Sequence, residues 1–168
     1  AVEGIEGHTE TVWRLLQQHK IPTFFFINKL DRVGADPLRI IEEIRTQLTK
    51  DVCDITNTLI QNIMSEELIE CITERDEDLL NTYMEDGYHP DLWFSTMKTL
   101  FRKNQIFPCT YGSALQGTGI ENLLEKVNQL TETSFTNEKA FAGTVYKIRY
   151  DEKGTRITFI KALSGTLK

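Results

Sequence analysis

The first third of the chain alternates helix-like and strand-like hydrophobic patterns. Residues 9–18 place apolar side chains on one face of a predicted helix and polar side chains on the other. Residues 22–28 are a short, mostly apolar, aromatic-rich run, which is typical of a parallel strand buried on both faces. Asp36 followed by Pro37 predicts a helix that ends near residue 49, and this element order favours a doubly wound α/β sheet. The side chains expected to face the core are Val12, Leu15, Leu16, Leu38, Ile41, Ile44 and Leu48.

The middle of the chain is predicted to be mostly helical. Ser65 is a candidate N-cap for a short helix, and residues 76–84 and 91–103 have the period of two more. Residues 50–64 show no clean period, so they receive no assignment. The interval at about 50–104 is therefore interpreted as a helical insertion between two strands. Its expected core residues are Leu68, Ile69, Ile72, Trp93, Met97, Leu100 and Phe101.

The last third changes from an α/β pattern to a purely β pattern. Residues 105–111 predict a second buried strand, and residues 119–130 predict a helix whose apolar face carries Ile120, Leu123, Leu124 and Val127. Residues 131–139 are mostly polar and have no period, which is typical of a linker. After it, two β-rich runs flank an acidic, glycine-ended turn at 151–154 and predict a β-hairpin. The two predicted domains are 1–134 and 135–168.

Charge and cysteine content exclude several classes of protein. The formal net charge of −6 argues against a broad phosphate-binding surface. A protein with this net charge can still bind phosphates through a few local basic residues. The three cysteines form no C-x-x-C pair, so neither a disulfide framework nor a zinc site is indicated, and buried free thiols in a reducing cytoplasm are expected. No apolar run is long enough to span a membrane. The first residue is not Met and no targeting pattern follows it, so we expect a piece of a longer protein.

The segment Asn28-Lys29-Leu30-Asp31 follows the first predicted strand directly. Ligands of open α/β sheets bind at the carboxyl ends of strands. A carboxylate at Asp31 can accept hydrogen bonds from N1 and N2 of guanine, a pattern that adenine does not offer. The Asn28 amide can reach N7 or join neighbouring loops, and the Lys29 stem can lie across the base or ribose. The alternative is a polar loop in which Asp31 only caps a turn, because Asn and Asp are common in turns.

The segment Gly112-Ser113-Ala114-Leu115 follows the second predicted strand in the same way. Small residues allow backbone amides to approach a ligand closely. The backbone N–H of Ala114 is a candidate donor to O6 of guanine. The dipeptide Ser-Ala is common, so this motif gains its weight from its position after the second strand.

Together these segments match the two guanine motifs of a known family. Asn28, Lys29 and Asp31 match N-K-x-D, and Ser113, Ala114 and Leu115 match S-A-[KL]. The sequence resembles the elongation factor G superfamily of translational GTPases over essentially its whole length, including 28–36 and 141–167. The resemblance implies a truncated P-loop NTPase-like G domain, with a parallel sheet and helices, followed by the first strands of the β-barrel domain II. It also implies GTP or GDP as ligand, the ribosome as partner and the cytoplasm as location.

Within this superfamily, the interval between the motifs favours one branch. Elongation factor G itself has a longer, β-containing insertion there, whereas this interval is shorter and mostly helical. The sequence is more similar to the tetracycline-resistance ribosomal protection proteins. That branch implies a protein that uses GTP hydrolysis on the ribosome; the alternatives are a standard elongation factor G that acts in translocation, or an α/β interaction module with no nucleotide role.

The 168 residues contain no G-x-x-x-x-G-K-[ST] phosphate loop. The family's switch residues and Mg²⁺ ligands are also expected to lie in the parent, upstream of Ala1. We therefore expect no catalytic or metal-binding residue in this chain, very weak nucleotide binding and no GTPase activity. The strand edges left open by both ends predict either self-association or a hairpin held against the chain's own sheet.

Overall fold

The computed structural model describes residues 1–58, 64–132, 136–138 and 140–167. Contacts divide the chain into two compact units, Ala1–Thr131 and Glu132–Lys168. The first unit is an α/β structure and the second is a β-hairpin. The expected α/β fold followed by β strands is therefore confirmed, whereas the assignment of domains to 1–134 and 135–168 stays a prediction.

The first unit contains six helices and three strands among its described residues. The helices are α1 (Gly7–Gln18), α2 (Pro37–Gln47), α3 (Glu66–Thr73), α4 (Glu77–Asp86), α5 (Pro90–Arg102) and α6 (Ile120–Leu130). The strands are β1 (Phe25–Ile27), β2 (Val52–Asp54) and β3 (Phe107–Tyr111). Each predicted helix and both predicted strands are present, with ends that differ by a few residues. No described helix is both long enough and apolar enough to cross a membrane.

The three strands form a parallel sheet in the order β1-β3-β2. Phe25 lies opposite Cys109, and Val52 lies opposite Phe107. Strand β2 falls in the interval without a clean period, because three residues are too few to show alternation. The insertion between the motifs is therefore not purely helical, and residues 59–63 of that interval lie outside the described residues.

Three helices of this unit begin with side-chain caps, and two of these caps, Asp36 and Ser65, are the predicted ones. The carboxylate of Asp36 accepts from the backbone N–H of Arg39 (3.0 Å), and Pro37 occupies the first turn, where its missing N–H costs nothing. Ser65 and Asp76 accept in the same way at the starts of α3 and α4. Gly87, with φ 81°, ends α4 in a conformation that only glycine adopts readily.

The largest core, which we call the helical core, joins α3, α4 and α5 to the edge of the sheet. Trp93 is fully buried at its centre, and its indole Nε1 donates to the hydroxyl of Thr73 (3.0 Å). A buried indole N–H needs such a partner, so Thr73 fixes the orientation of the ring. All the core residues predicted for α3 and α5 are buried here. The helical core consists of Cys53, Ile55, Met64, Leu68, Ile69, Ile72, Leu79, Trp93, Met97, Leu100, Phe101, Ile106 and Leu130.

Periodicity indicated the wrong inward face for parts of three helices. Helix α1 buries none of its residues, and it contacts the sheet through the half-buried Trp13, which packs on Phe25 and Phe107. In α2 the predicted Ile41 and Ile44 are buried together with Ile40, whereas the predicted Leu38 is 64% exposed. A helix has several apolar stripes when its apolar residues are many, and tertiary contacts decide among them. The predicted core residues that are exposed are Val12, Leu15, Leu38 and Leu124.

Helix α6 buries a lysine that the sequence did not single out. Lys126 is only 2% exposed, and its ammonium donates to the backbone carbonyl of Thr58. Burial lowers the pKa of Lys126, because the charged form loses solvation. Nearby, the Asn122 amide donates to the carbonyl of Thr56 (2.7 Å). Polar contacts therefore attach α6 to the segment that follows β2.

The second unit is the predicted hairpin, with β4 (Ala142–Tyr150) antiparallel to β5 (Arg156–Ser164). The carboxylate of Asp151 organises the turn by accepting from the backbone N–H groups of Lys153 (2.9 Å) and Thr155 (2.7 Å). Gly154 has φ 77° in this turn. Every residue of β4 is exposed, so the hairpin has no core of its own. In the predicted linker, residues 133–135 and 139 lie outside the described residues.

Candidate guanine-binding site

The two sequence motifs lie side by side because β1 and β3 are adjacent and parallel. Ile27 pairs with Tyr111 at the carboxyl end of the sheet. Beyond this pair, the N–H of Gly112 donates to the carbonyl of Ile27 (3.0 Å), and the N–H of Leu30 donates to the carbonyl of Gly112 (3.2 Å). Backbone hydrogen bonds thus continue past the strands into the loops. We call residues 28–31 and 112–115 the loop pair.

Asn28 joins the two halves of the loop pair. Its side-chain Oδ1 accepts from the backbone N–H of Ala114 (2.9 Å) and from that of Lys29 (2.7 Å). Two roles are expected for this amide: contact with N7 of guanine, or connection of the neighbouring loops. In this structure it connects the loops. The N–H of Ala114, expected to donate to O6, already has Asn28 as its acceptor. A base at this position would have to share that N–H or replace Asn28.

Asp31 and Ser113 make the second connection. The buried hydroxyl of Ser113 donates to Oδ1 of Asp31 and accepts from the N–H of Gln116 (3.3 Å). The hydrogen bond from Ser113 is the main reason that the pKa of Asp31 lies below its usual value, with a smaller effect from the nearby charge of Arg32. Asp31 is therefore an ionised, exposed carboxylate at neutral pH, which is the form that accepts hydrogen bonds.

At this site Lys29 is half-buried and Leu115 is exposed. Lys29 has a left-handed backbone conformation (φ 70°), and its ammonium lies 3.3 Å from a carboxylate oxygen of Glu3. Arg32 pairs with the same oxygen at 2.6 Å. The charge of Lys29 is thus directed to Glu3 in this structure, and its stem is free to move because exposed ion pairs are weak. Leu115 is 88% exposed and makes no polar side-chain contact.

Two glycines allow the second loop to fold back on the end of β3. The N–H of Ser113 donates to the carbonyl of Thr118 (2.9 Å), and the two residues form an isolated antiparallel bridge. A Cβ atom at Gly112 would overlap the carbonyl oxygen of Thr118. A Cβ at Gly119, which has φ 79°, would lie 2.7 Å from the carbonyl oxygen of Tyr111. The small residues at 112 and 119 thus leave room for the chain's own backbone. From the sequence, small residues are expected to leave room for a ligand instead.

The match to a protein family decides the identity of this arrangement. Residues 1–133, which include both halves of the loop pair, match the model of the elongation factor Tu GTP-binding domain. The chain belongs to this family. The resemblance to translational GTPases is confirmed, and the match argues against an interaction module in which N-K-L-D is a coincidence.

The chain is also similar to curated relatives and to a solved structure. It is 29% identical to the tetracycline resistance protein TetM from transposon Tn5251 of Streptococcus pneumoniae and to that from transposon Tn916 of Enterococcus faecalis. Each alignment covers 99% of this chain and 27% of the relative, so the chain spans about a quarter of their length. A crystal structure of a Thermus thermophilus protein has the same fold, with a TM-score of 0.76 and 19% identity over 99% of this chain and 31% of that one.

The polar groups of the loop pair can be compared with the hydrogen-bonding groups on the base of a guanine nucleotide. The loop pair contains an ionised carboxylate at Asp31 and an amide at Asn28, groups that can pair with the donors and acceptors on the edge of guanine, while the backbone N–H of Ala114 would become a donor to the base once it is shared with Asn28 or released from it. The described residues contain no cluster of three or more His, Cys, Asp or Glu side chains that could hold a metal ion.

Sequence reasoning missed three residues that shape this site. Glu3 holds Lys29 and Arg32, Thr118 holds Ser113, and Gly119 permits the fold-back. The pair of glycines that brackets residues 113–118 was visible in the sequence as a signal of a tight loop. The role of Glu3 had no local signal, because the charged residues it contacts lie far along the chain.

Proposed function

We propose that this chain is the guanine-binding part of a ribosome-associated GTP-binding translation factor. One observation carries the proposal: two side chains, Asn28 and Asp31, bind the opposite loop through Ala114 and Ser113, so that both motifs form one site at the carboxyl end of the sheet. A turn that merely contains Asp would not need a partner loop. Membership of a GTP-binding domain family supports the same ligand.

In this proposal each residue of the loop pair has a defined role. The carboxylate of Asp31 accepts from N1 and N2 of guanine, and Ser113 holds that carboxylate ionised and oriented. Asn28 positions the loop of Ala114, whose N–H lies close to where O6 would be recognised. The stem of Lys29 covers one face of the base after its ammonium leaves Glu3, and the exposed Leu115 covers the other side of the entrance.

We further propose that the longer parent is a ribosomal protection protein that confers tetracycline resistance in the cytoplasm. The supporting observation is the similarity to TetM proteins over nearly the whole chain. Such a parent would bind the ribosome and hydrolyse GTP with Mg²⁺ held by residues outside this chain. A standard elongation factor G is the alternative, and growth of a susceptible bacterium on tetracycline with and without the full reading frame separates the two.

The chain by itself is proposed to bind guanine nucleotides weakly and to be inactive. Much of the affinity for a nucleotide comes from charge-assisted hydrogen bonds to its phosphates. With the base contacts alone, we expect a Kd on the order of 1 mM. Two-dimensional NMR with GDP should shift the amide signals of Lys29, Asp31 and Ala114, whereas ADP at the same concentration should not.

The substitution Asp31→Asn tests the central contact. It replaces an acceptor by a donor opposite N1 and N2, so the preference should move from GDP to xanthosine diphosphate, whose C2 carries a carbonyl. Asp86→Asn is the matched control, since this exposed residue lies at the far end of α4 and should leave the preference for GDP unchanged. Equal shifts with GDP and ADP, or an unchanged preference in Asp31→Asn, would remove the loop pair as a base site.

Self-association of this chain through open strand edges is also proposed. Among the described residues, β1 pairs only with β3, and β4 pairs only with β5. Exposed edges of this kind can pair with another copy. Light scattering over a concentration series should show an average mass that rises with concentration, and a constant monomer mass would contradict the proposal.

A further inference from the structure

Two cysteines that are distant in the sequence meet at the edge of the helical core. Cys53 lies in the middle of β2, and Cys71 lies on α3. Their Sγ atoms are 2.8 Å apart, while both residues are free thiols. A disulfide bond is about 2.05 Å long, so a small side-chain rotation would bring the sulfur atoms to bonding distance. The sequence offers no hint of this pair because its members are not arranged as C-x-x-C.

A cation and a path to solvent are present at the same place. Arg75, one helical turn after Cys71, has its Nη1 atom 3.3 Å from Sγ of Cys71 and also donates to the Cys71 carbonyl. An ion pair with Asp51 (2.7 Å) holds the guanidinium in this position. Cys53 is only 4% exposed, whereas Cys71 is half-buried. A small solute can therefore reach Cys71 more easily than Cys53.

The two thiols are electrostatically different. The hydrogen bond between the two thiols lowers the pKa of Cys71, and the positive charge of Arg75 acts in the same direction, against burial and the charges of Asp51 and Glu74. The same hydrogen bond, together with burial, raises the pKa of Cys53. Cys71, which is the more exposed sulfur and lies beside Arg75, is therefore the one placed to become a thiolate, the reactive form of cysteine.

Cys109 provides an internal comparison. It lies in β3 with no exposed surface, and its nearest polar partner is the carbonyl of Thr110 at 3.8 Å. Burial raises the pKa of Cys109 to about 12. A thiol in this environment is protonated and inaccessible, so it should not react.

We propose that Cys53 and Cys71 are a peroxide-sensitive thiol pair that forms a reversible intramolecular disulfide, with Cys71 as the attacking nucleophile. The thiolate of Cys71 attacks one oxygen of hydrogen peroxide, which gives a sulfenic acid and, after protonation, water. The sulfur of Cys53 then attacks the sulfur of Cys71, the S–H proton passes to the leaving hydroxide, and a second water forms. Two thiols are oxidised by two electrons and one peroxide is reduced. A dithiol reductant reverses the reaction by disulfide exchange.

The disulfide would connect β2 to α3 independently of whether the loop pair binds guanine. Strand β2 pairs with β3, so the cross-link would tie α3 to the sheet through its edge strand β2. We expect the oxidised chain to have a higher Tm than the reduced chain, since a cross-link restricts the unfolded chain.

The first test is mass spectrometry of the chain treated with hydrogen peroxide. The product should be lighter than the reduced chain by two hydrogen atoms, and a peptide map should join the peptides of Cys53 and Cys71 and leave Cys109 free. Dithiothreitol should restore the original mass. Cross-links between chains, a disulfide that includes Cys109, or oxidation to sulfinic acid without any Cys53–Cys71 bond would overturn the proposal.

Single substitutions separate the two roles within the pair. In Cys53→Ser the sulfenic acid on Cys71 has no partner, so dimedone should label Cys71. In Cys71→Ser dimedone should not label Cys53, and Cys109→Ser should form the disulfide as the unaltered chain does. Labelling of Cys53 in the Cys71→Ser variant would contradict the assignment of Cys71 as the nucleophile.

The role of Arg75 is tested by the rate of disulfide formation. If Arg75→Gln raises the pKa of Cys71 by one unit, about a tenth of the thiolate remains, but each thiolate is about threefold more nucleophilic. The rate should fall about threefold, whereas Arg102→Gln, at an exposed position on α5, should leave it unchanged. Arg75→Lys keeps the charge and should react faster than Arg75→Gln, and circular dichroism should show that all three variants fold. Equal rates in Arg75→Gln and Arg75→Lys would remove Arg75 from the proposal.

Discussion

The helical core and the loop pair belong to the same compact unit but are stabilised by different interactions. The helical core excludes water around Trp93, Met97 and Ile72, each with essentially no exposed surface. The loop pair exposes Asn28, Asp31, Ala114 and Leu115, and it depends on a few polar contacts, chiefly those of Asn28 and Asp31. Substitutions in the first region should therefore change stability, and those in the second should change recognition more than stability.

The largest expected difference in stability comes from replacing a leucine by alanine in each of the two regions. Leu100→Ala removes a side chain that is 4% exposed in the helical core, and we expect a loss of about 2–5 kcal/mol in the free energy of unfolding. Leu115→Ala removes the same atoms from a side chain that is 88% exposed, and its effect should stay within about 0.5 kcal/mol. Urea unfolding followed by tryptophan fluorescence measures both. Similar losses in the two variants would erase the contrast between the regions.

A smaller loss is expected where the loop pair itself is tightly packed. Gly112→Ala would place a Cβ against the carbonyl oxygen of Thr118, so the loop must shift at a cost of about 1–3 kcal/mol. Gly7→Ala is the control, because a Cβ at the start of α1 meets nothing within 4 Å. In the same assay, the free energy of unfolding of Gly112→Ala should be lower than that of the unaltered chain, and that of Gly7→Ala should equal it. A fully stable Gly112→Ala chain would contradict the packing described for this loop.

The smallest expected effect concerns protonation. Ser113→Ala removes the hydrogen bond that lowers the pKa of Asp31, so this pKa should rise toward the usual value for Asp. Because the folded-state pKa is lowered, the contribution of Asp31 to stability is present above its unfolded-state pKa and is lost as the pH falls through the folded-state pKa. The difference in free energy of unfolding between the unaltered chain and Ser113→Ala should therefore become smaller at acid pH.

NMR titration of the Asp31 carboxyl carbon measures that pKa directly. Ser95→Ala is a suitable control, since the Ser95 hydroxyl donates only to the carbonyl of Leu92 on α5. An unchanged pKa of Asp31 in Ser113→Ala would assign the shift to another cause.

The sequence predicted those parts of the molecule whose signals are local. Asp36 and Ser65 cap the helices expected to begin there, because a cap is defined by a few consecutive residues. The position of both motifs after strands also followed from the alternation of elements, and parallel pairing of β1 with β3 brings them together. Whether those residues bind guanine stays a prediction.

What the sequence could not predict depends on distant contacts. Leu38 and Leu124 fit an apolar stripe but are exposed, since the choice of inward face is made by the elements that pack against each helix. The contact between Cys53 and Cys71 requires β2 and α3 to be neighbours, and β2 was too short to be recognised. The partner that Asn28 selects, the N–H of Ala114, likewise appears only when the loops are placed in three dimensions.

The buried lysine of α6 offers a built-in reporter for covalent footprinting. Lys126 is 2% exposed and has a lowered pKa, so its amine would be an effective nucleophile if an acylating reagent could reach it. Packing of α6 against Thr58 keeps the reagent from reaching the Lys126 amine. In a brief reaction with an N-hydroxysuccinimide ester, surface lysines such as Lys147 would be acylated while Lys126 would not. The appearance of label on Lys126 would then mark the moment at which α6 separates from the rest of the unit.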